Sequence, residues 1–121
     1  MPVKIITAVA TEPITLSDAK LHCKVEVADD DALITALITA AREFAEHYTG
    51  RALAPQTLEL ALDVFPTGTI ELISSPVTSI TSVKYIDVDG VEQTLSSALY
   101  TLNDYGVSAG VEQAYNSPWP D

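Results

Sequence analysis

The chain has 121 residues, 47% of them hydrophobic, enough for one domain with a real core and too apolar for a disordered polymer. Seventeen acidic residues against six basic ones leave a formal charge of −11, which disfavours tight binding to a phosphate backbone. A single cysteine, Cys23, excludes an internal disulfide framework, and no stretch has the length and apolar continuity of a membrane span, so a soluble protein is expected.

In chain order, residues 1–13 form a leading arm or edge strand that ends at the break Thr11-Glu12-Pro13. The segment ITLSDAKLHCKV then predicts a helix of about two turns, capped by Thr15 or Ser17, with Leu16, Ala19, Leu21 or His22, and Cys23 on its inner side. The stretch from Asp30 to Tyr48 predicts a long amphipathic helix. Leu33, Leu37, Ala40, Phe44 and Tyr48 recur at helical spacing, and Ile34, Ile38, Ala41 and Ala45 widen the stripe expected to face the core. Thr35, Thr39, Arg42, Glu43 and Glu46 are expected to face outward, which makes Leu37 and Phe44 the substitutions expected to unfold the protein. Asp29, Asp30 and Asp31 suit the positive end of the helix, His47 its last turn, and Gly50 its stop.

After Pro55 the pattern changes. In QTLELALDVF, Leu58, Leu60, Leu62 and Val64 alternate with Thr57, Glu59, Ala61 and Asp63, the signature of a half-buried strand. A turn at residues 65–68 leads to TIELI, which stops at Ser74-Ser75-Pro76. Residues 80–88 and 91–95 flank Asp89-Gly90, which predicts a hairpin with a type I′ turn. Further strands are expected at Leu99 to Leu102 and Val111 to Tyr115. The class is therefore α+β: an N-terminal helical pair, short plus long, packed with a mainly antiparallel sheet of five or six short strands. Residues 1–121 read as a single domain, helical over 14–50 and β over 56–115.

Chemistry-bearing clusters are sparse. His22 and Cys23 are adjacent on a helix and point about 100° apart, so they do not converge on a metal with His47. Cys23 reads as a buried or half-buried core residue. Asp29-Asp30-Asp31 reads as a helix start, and Asp87 to Glu92 as a hairpin turn lacking the ligand spacing of a calcium loop. Gly106 and Gly110 open no phosphate-binding helix. Trp119, between two prolines, is either a docking aromatic or a cap on the core. No catalytic, cofactor-binding or metal-binding residue is assigned, and a hydrolase or metal enzyme is disfavoured.

The segments EPITLSDAKLHCKV, DDDALITALITAAREFAEHYTGRAL, QTLELALDVFP, SPVTSITSVKYIDVDGVEQTL and SPWP occur in an order and spacing that resembles the head-tail connector, or adaptor, family of tailed bacteriophages and prophages. The most specific part runs from Ala41-Arg42 through Glu46 to Thr49-Gly50-Arg51-Ala52-Leu53, then Gln56-Thr57. The resemblance implies a structural head-completion protein of the virion, assembled in the host cytoplasm. It implies a ring of about twelve copies between the portal and a tail-side connector or stopper, with a monomer allowed in isolation. DNA would pass through the channel without specific binding, which an acidic lumen favours. Arg42, Glu43, Glu46 and Arg51 are the candidate subunit or portal contacts. Members commonly continue past SPWP into further helices, whereas this sequence stops at Asp121, so apolar surface on Ile34, Ile38 or Ala45 is expected to be open to a partner. The alternative is a stand-alone phage-derived interaction module that forms no ring.

Overall fold

Thr15 starts the first helix: its hydroxyl accepts a hydrogen bond from the Asp18 backbone N–H at 3.1 Å, satisfying a donor that has no partner within the helix. In the computed structural model, which describes residues 3–106 and 108–121, this helix is α1, Leu16–Cys23. Lys24 ends it in the left-handed region at φ 56°, and its N–H returns to the Leu21 carbonyl. The second helix, α2, spans Asp31–Thr49 and ends at Gly50, whose φ of 67° costs a glycine nothing and lets its N–H bond the Glu46 carbonyl at 2.9 Å. Asp30 occupies the N-cap position without a side-chain capping bond. Lys20 Nζ lies 2.6 Å from Asp31 Oδ1 and ties α1 to the start of α2.

Among the described residues, seven short strands surround this pair in the chain: β1 Val3–Thr7, β2 Thr57–Leu60, β3 Ile70–Glu71, β4 Lys84–Ile86, β5 Glu92–Thr94, β6 Tyr100–Asn103 and β7 Gly110–Gln113. The class is α+β, as the sequence indicates. The strands form three small sheets instead of one: β1 with β2, β4 with β5, and the order β3-β7-β6. Pairing of β4 with β5, and of β7 with both β3 and β6, is antiparallel. The expected runs are shorter in the structure: QTLELALDVF is strand only over Thr57–Leu60, and Leu62 and Val64 stay exposed. The expected arm is β1, its first two positions lying outside the described residues.

The chain divides into two compact units, Lys4–Glu59 and one made mainly of Leu60–Asp121. The second has the better-formed core. Ile70, Leu95, Tyr100 and Val111 are buried together, with Phe65, Leu72, Val83 and Tyr85 packed against them. Trp119 closes this core. Its ring stacks on Phe65 at 5.3 Å and its indole N–H donates to the Gly68 carbonyl at 2.9 Å, so it is a cap and not a free docking aromatic. Gly110 runs so close to β3 that a Cβ there would collide with the Thr69 methyl group.

The hairpin turn differs from the expected type. Gly90 N–H bonds the Asp87 carbonyl at 3.0 Å, and within this loop only Gly90 has positive φ. That is a type I turn followed by a left-handed glycine, because type I′ needs positive φ at both central residues and Asp89 does not supply it. The Asp87 carboxylate accepts from the backbone N–H groups of Asp89 and Val91 and from Gln93 Nε2. These bonds, that from Val91 foremost, hold its pKa below the ordinary carboxylate range.

The long helix departs most from expectation. No residue of α2 is fully buried. Leu33, Leu37, Phe44 and Tyr48, expected to face the core, are exposed by 58, 57, 72 and 82%. The half-buried positions are Asp31, Ile34, Ile38, Thr39, Arg42, Ala45 and Glu46. The apolar arc of α2 is wider than the surface that covers it, and the covered edge is the one shared with Arg42 and Glu46. The open apolar residues are thus not Ile34, Ile38 and Ala45 but their neighbours on the other side of the stripe.

Candidate functional site

A dense polar constellation lies inside the helical unit and is built on α2. Thr39, Arg42 and Glu46 fall at i, i+3 and i+7 and so share a face. Arg42 presents its guanidinium to Glu12 as a fork: Nε donates to Oε2 at 2.6 Å and Nη2 to Oε1 at 3.3 Å. Thr39 Oγ1 donates to Glu12 Oε1 at 3.0 Å. From the other side Arg42 Nη1 donates to Glu46 Oε1, while Glu46 Oε2 accepts from the Leu53 backbone N–H and from Gln56 Nε2. Arg42 therefore joins the end of the arm to α2, and Glu46 joins α2 to the segment that follows Gly50.

The electrostatics follow from this geometry. The Arg42 guanidinium, by hydrogen bond, holds the Glu12 carboxyl below its ordinary value of 4.5, with Thr39 adding to the effect. Glu12, and then Glu46, push the Arg42 pKa further up. The side chain of Arg42 is only 9% exposed, so the outward orientation expected for Arg42 and Glu46 does not hold. Two carboxylates on one cation make the inward position favourable. Of the four candidate contact residues, Glu43 is well exposed, 3.8 Å from Arg42 Nη2, and Arg51 is exposed just beyond the C-cap. The structure thus brings Arg42, Glu43 and Glu46 together and turns two of them inward.

Sequence reasoning missed Glu12 and Gln56 as members of this cluster. The i,i+4 spacing of Arg42 and Glu46 was a readable signal, but Glu12 lies 30 residues from Arg42 and only the fold brings them together. Cys23, expected to be buried or half-buried, is exposed, because the inner side of α1 consists of Leu16, Ala19 and the stem of Lys20. Leu21 and His22 are exposed as well. His47 stands exposed in the last turn of α2. Among the described residues no group of three or more His, Cys, Asp or Glu could hold a metal, and no helix is long and apolar enough to cross a membrane. A shallow recess of about 260 Å³ lies between the end of the arm and the two helices, lined by Ala10, Glu12, Ile14, Leu16 and Ile38 among others. Its one carboxylate is already held by Arg42.

A family model for the phage gp6-like head-tail connector protein matches residues 13–104. The chain belongs to this family. The matched segment includes Thr39, Arg42, Glu46, Leu53 and Gln56, which build the clamp around the guanidinium, with Glu12 just outside it. Two solved structures have a similar fold. The chain superposes on a chain of the neck of an empty gene transfer agent particle computed with C6 symmetry, at a TM-score of 0.80 and 24% identity over 100% of its length. A chain from the virion of a native gene transfer agent particle gives 0.79 and 24% over 99%. The present chain spans 64% of the length of each of these chains. No curated protein matches it.

Proposed function

We propose that this connector is a non-enzymatic structural component of the head-tail junction of a phage-like particle. Its copies form a ring around the DNA channel, with the portal on one side and a tail-side connector or stopper on the other. The family match over residues 13–104 carries this reading. The fold it shares with a chain of a C6-symmetric neck supports it, since cyclic symmetry repeats each component head to tail about an axis. The charge of −11 suits a passage through which DNA moves without sticking. Residues 1–121 act as one connector domain in this proposal, and Glu43 and Arg51 are its exposed polar contacts. Electron microscopy of the protein mixed with its cognate portal tests the reading. Ring density added below the portal is expected, and a portal that gains none overturns it.

A further inference from the structure

We propose that residues 4–12 form a strap that opens from the helical unit while α2 stays folded, and that Arg42 is the latch that holds it shut. Strap and latch belong to the isolated chain and do not depend on ring formation. All of β1 is exposed, Ile5 and Ile6 by 58 and 52%. Of residues 8–11, Val9 alone is half-buried. Burial therefore does little to keep this segment in place, and its pairing with β2 is a two-stranded sheet, an arrangement of marginal stability by itself. The backbone bonds of α2, by contrast, close within the helix and do not pass through the strap.

Polar bonds supply what apolar contact does not, and they converge on one side chain. Glu12, the last residue of the strap, takes the Arg42 fork at 2.6 and 3.3 Å and the Thr39 hydroxyl at 3.0 Å. Its side chain is 22% exposed and that of Arg42 is 9%, so water screens this charge-assisted pair little. Pro13 follows at once and disfavours helical backbone at Glu12, which sets the joint between strap and α1.

The same guanidinium reaches the other strand. Arg42 Nη1 donates to Glu46, whose second oxygen accepts from the Leu53 N–H at 3.2 Å and from Gln56 Nε2 at 2.5 Å, one residue before β2. Both strands are thus rooted at Arg42, one through Glu12 and one through Glu46. This asymmetry makes release possible at the Glu12 side. When the strap lifts, Glu12 passes into water and Arg42 keeps Glu46 as its counter-charge, so no buried charge is left unpaired. The open form bares the edge of β2 and the vacated side of the guanidinium, two groups that the closed strap covers.

Native-state hydrogen exchange on the full chain, read by NMR over a series of urea concentrations below the unfolding transition, tests this. In the wild type the protected amides of residues 4–7 and 57–59 should exchange at least about tenfold faster than those in the middle of α2. Their rates should depend little on urea, the sign of an opening that exposes little surface. Glu12→Gln should speed the strap amides about tenfold and keep that flat dependence. Glu43→Gln removes a carboxylate 3.8 Å from Arg42 that is 64% exposed, and should change them less than about twofold. Strap amides that share the urea dependence of α2 leave only when the unit unfolds, which overturns the proposal. Wild-type strap amides as fast as those of a free peptide, or a rate unchanged in Glu12→Gln, overturn it as well.

Discussion

Arg42 and Glu12, 30 positions apart, meet as a bidentate pair at 2.6 and 3.3 Å, and this contact pins the end of the N-terminal arm to the long helix. Glu46 receives the same guanidinium from the other side and holds the chain that follows the helix. Removing Arg42 would leave two neighbouring carboxylates without their cation, a worse outcome than losing either acid. Arg42→Ala is therefore expected to lower the thermal midpoint by several degrees, and Glu43→Ala, one residue along, to leave it within a degree or two. Circular dichroism melts of the two variants check the contrast. Equal midpoints would remove the clamp from the list of stabilising contacts.

The same pair gives the stability a pH dependence of known sign. Glu12 titrates below 4.5 in the folded chain because of Arg42, so its contribution is fully present above the unfolded carboxylate pKa. It is lost as pH falls through the lowered folded value. Glu12→Gln is expected to melt below wild type at pH 6 to 7, and the gap should narrow as the pH falls below 4.5. Thermal melts of both proteins across that interval check the sign. A gap that widens toward acid would contradict the pairing.

The open stripe on α2 and the closed core around Leu95 predict opposite sensitivities to truncation. Leu95 is 5% exposed among Ile70, Tyr100 and Val111, so Leu95→Ala creates a cavity and should cost about 2–5 kcal/mol in urea unfolding. Leu37, at 57% exposure, has little to lose as a monomer, and Leu37→Ala should shift stability by about 0.5 kcal/mol or less. Urea titrations of the two variants beside wild type provide the comparison. A Leu37 effect as large as that of Leu95 would place this face against a core after all.

Periodicity made α2 legible as Asp30 to Tyr48, within a residue at each end of the observed Asp31–Thr49, and the alternation Leu58, Leu60 made β2 legible, because local backbone geometry repeats at fixed intervals. Periodicity also misled. A helix with an apolar arc on one side reads as a core helix whether that arc meets its own chain or another molecule, since burial of Leu37 or Phe44 in either place calls for the same residue types. The candidate contact residues illustrate the converse: Arg42 and Glu46 look like solvent-facing charges until Glu12 and Gln56 arrive from elsewhere in the chain. Hairpin position was readable from Asp-Gly, but the turn type depended on Asp87 capturing the N–H groups of Asp89 and Val91, a detail that the dipeptide does not encode.

Trp119 offers a last test, and it distinguishes a core cap from an end segment that merely lies near the sheet. The chain has a single tryptophan, so its emission reports on this site alone. With its ring stacked on Phe65 and its N–H on the Gly68 carbonyl, the folded protein should emit to the blue of the unfolded one. The shift during urea unfolding should coincide with the loss of circular dichroism from the β unit. Trp119→Phe keeps an aromatic ring against Phe65 but leaves the Gly68 carbonyl without its donor, which should cost about 1 kcal/mol. Trp119→Ala also removes the stacked ring and should cost clearly more, up to about 3–5 kcal/mol. A red emission maximum in the folded state, or an alanine variant as stable as wild type, would make Trp119 an appendage and return it to the exposed aromatics with Tyr105 and Tyr115, which are 97 and 100% exposed.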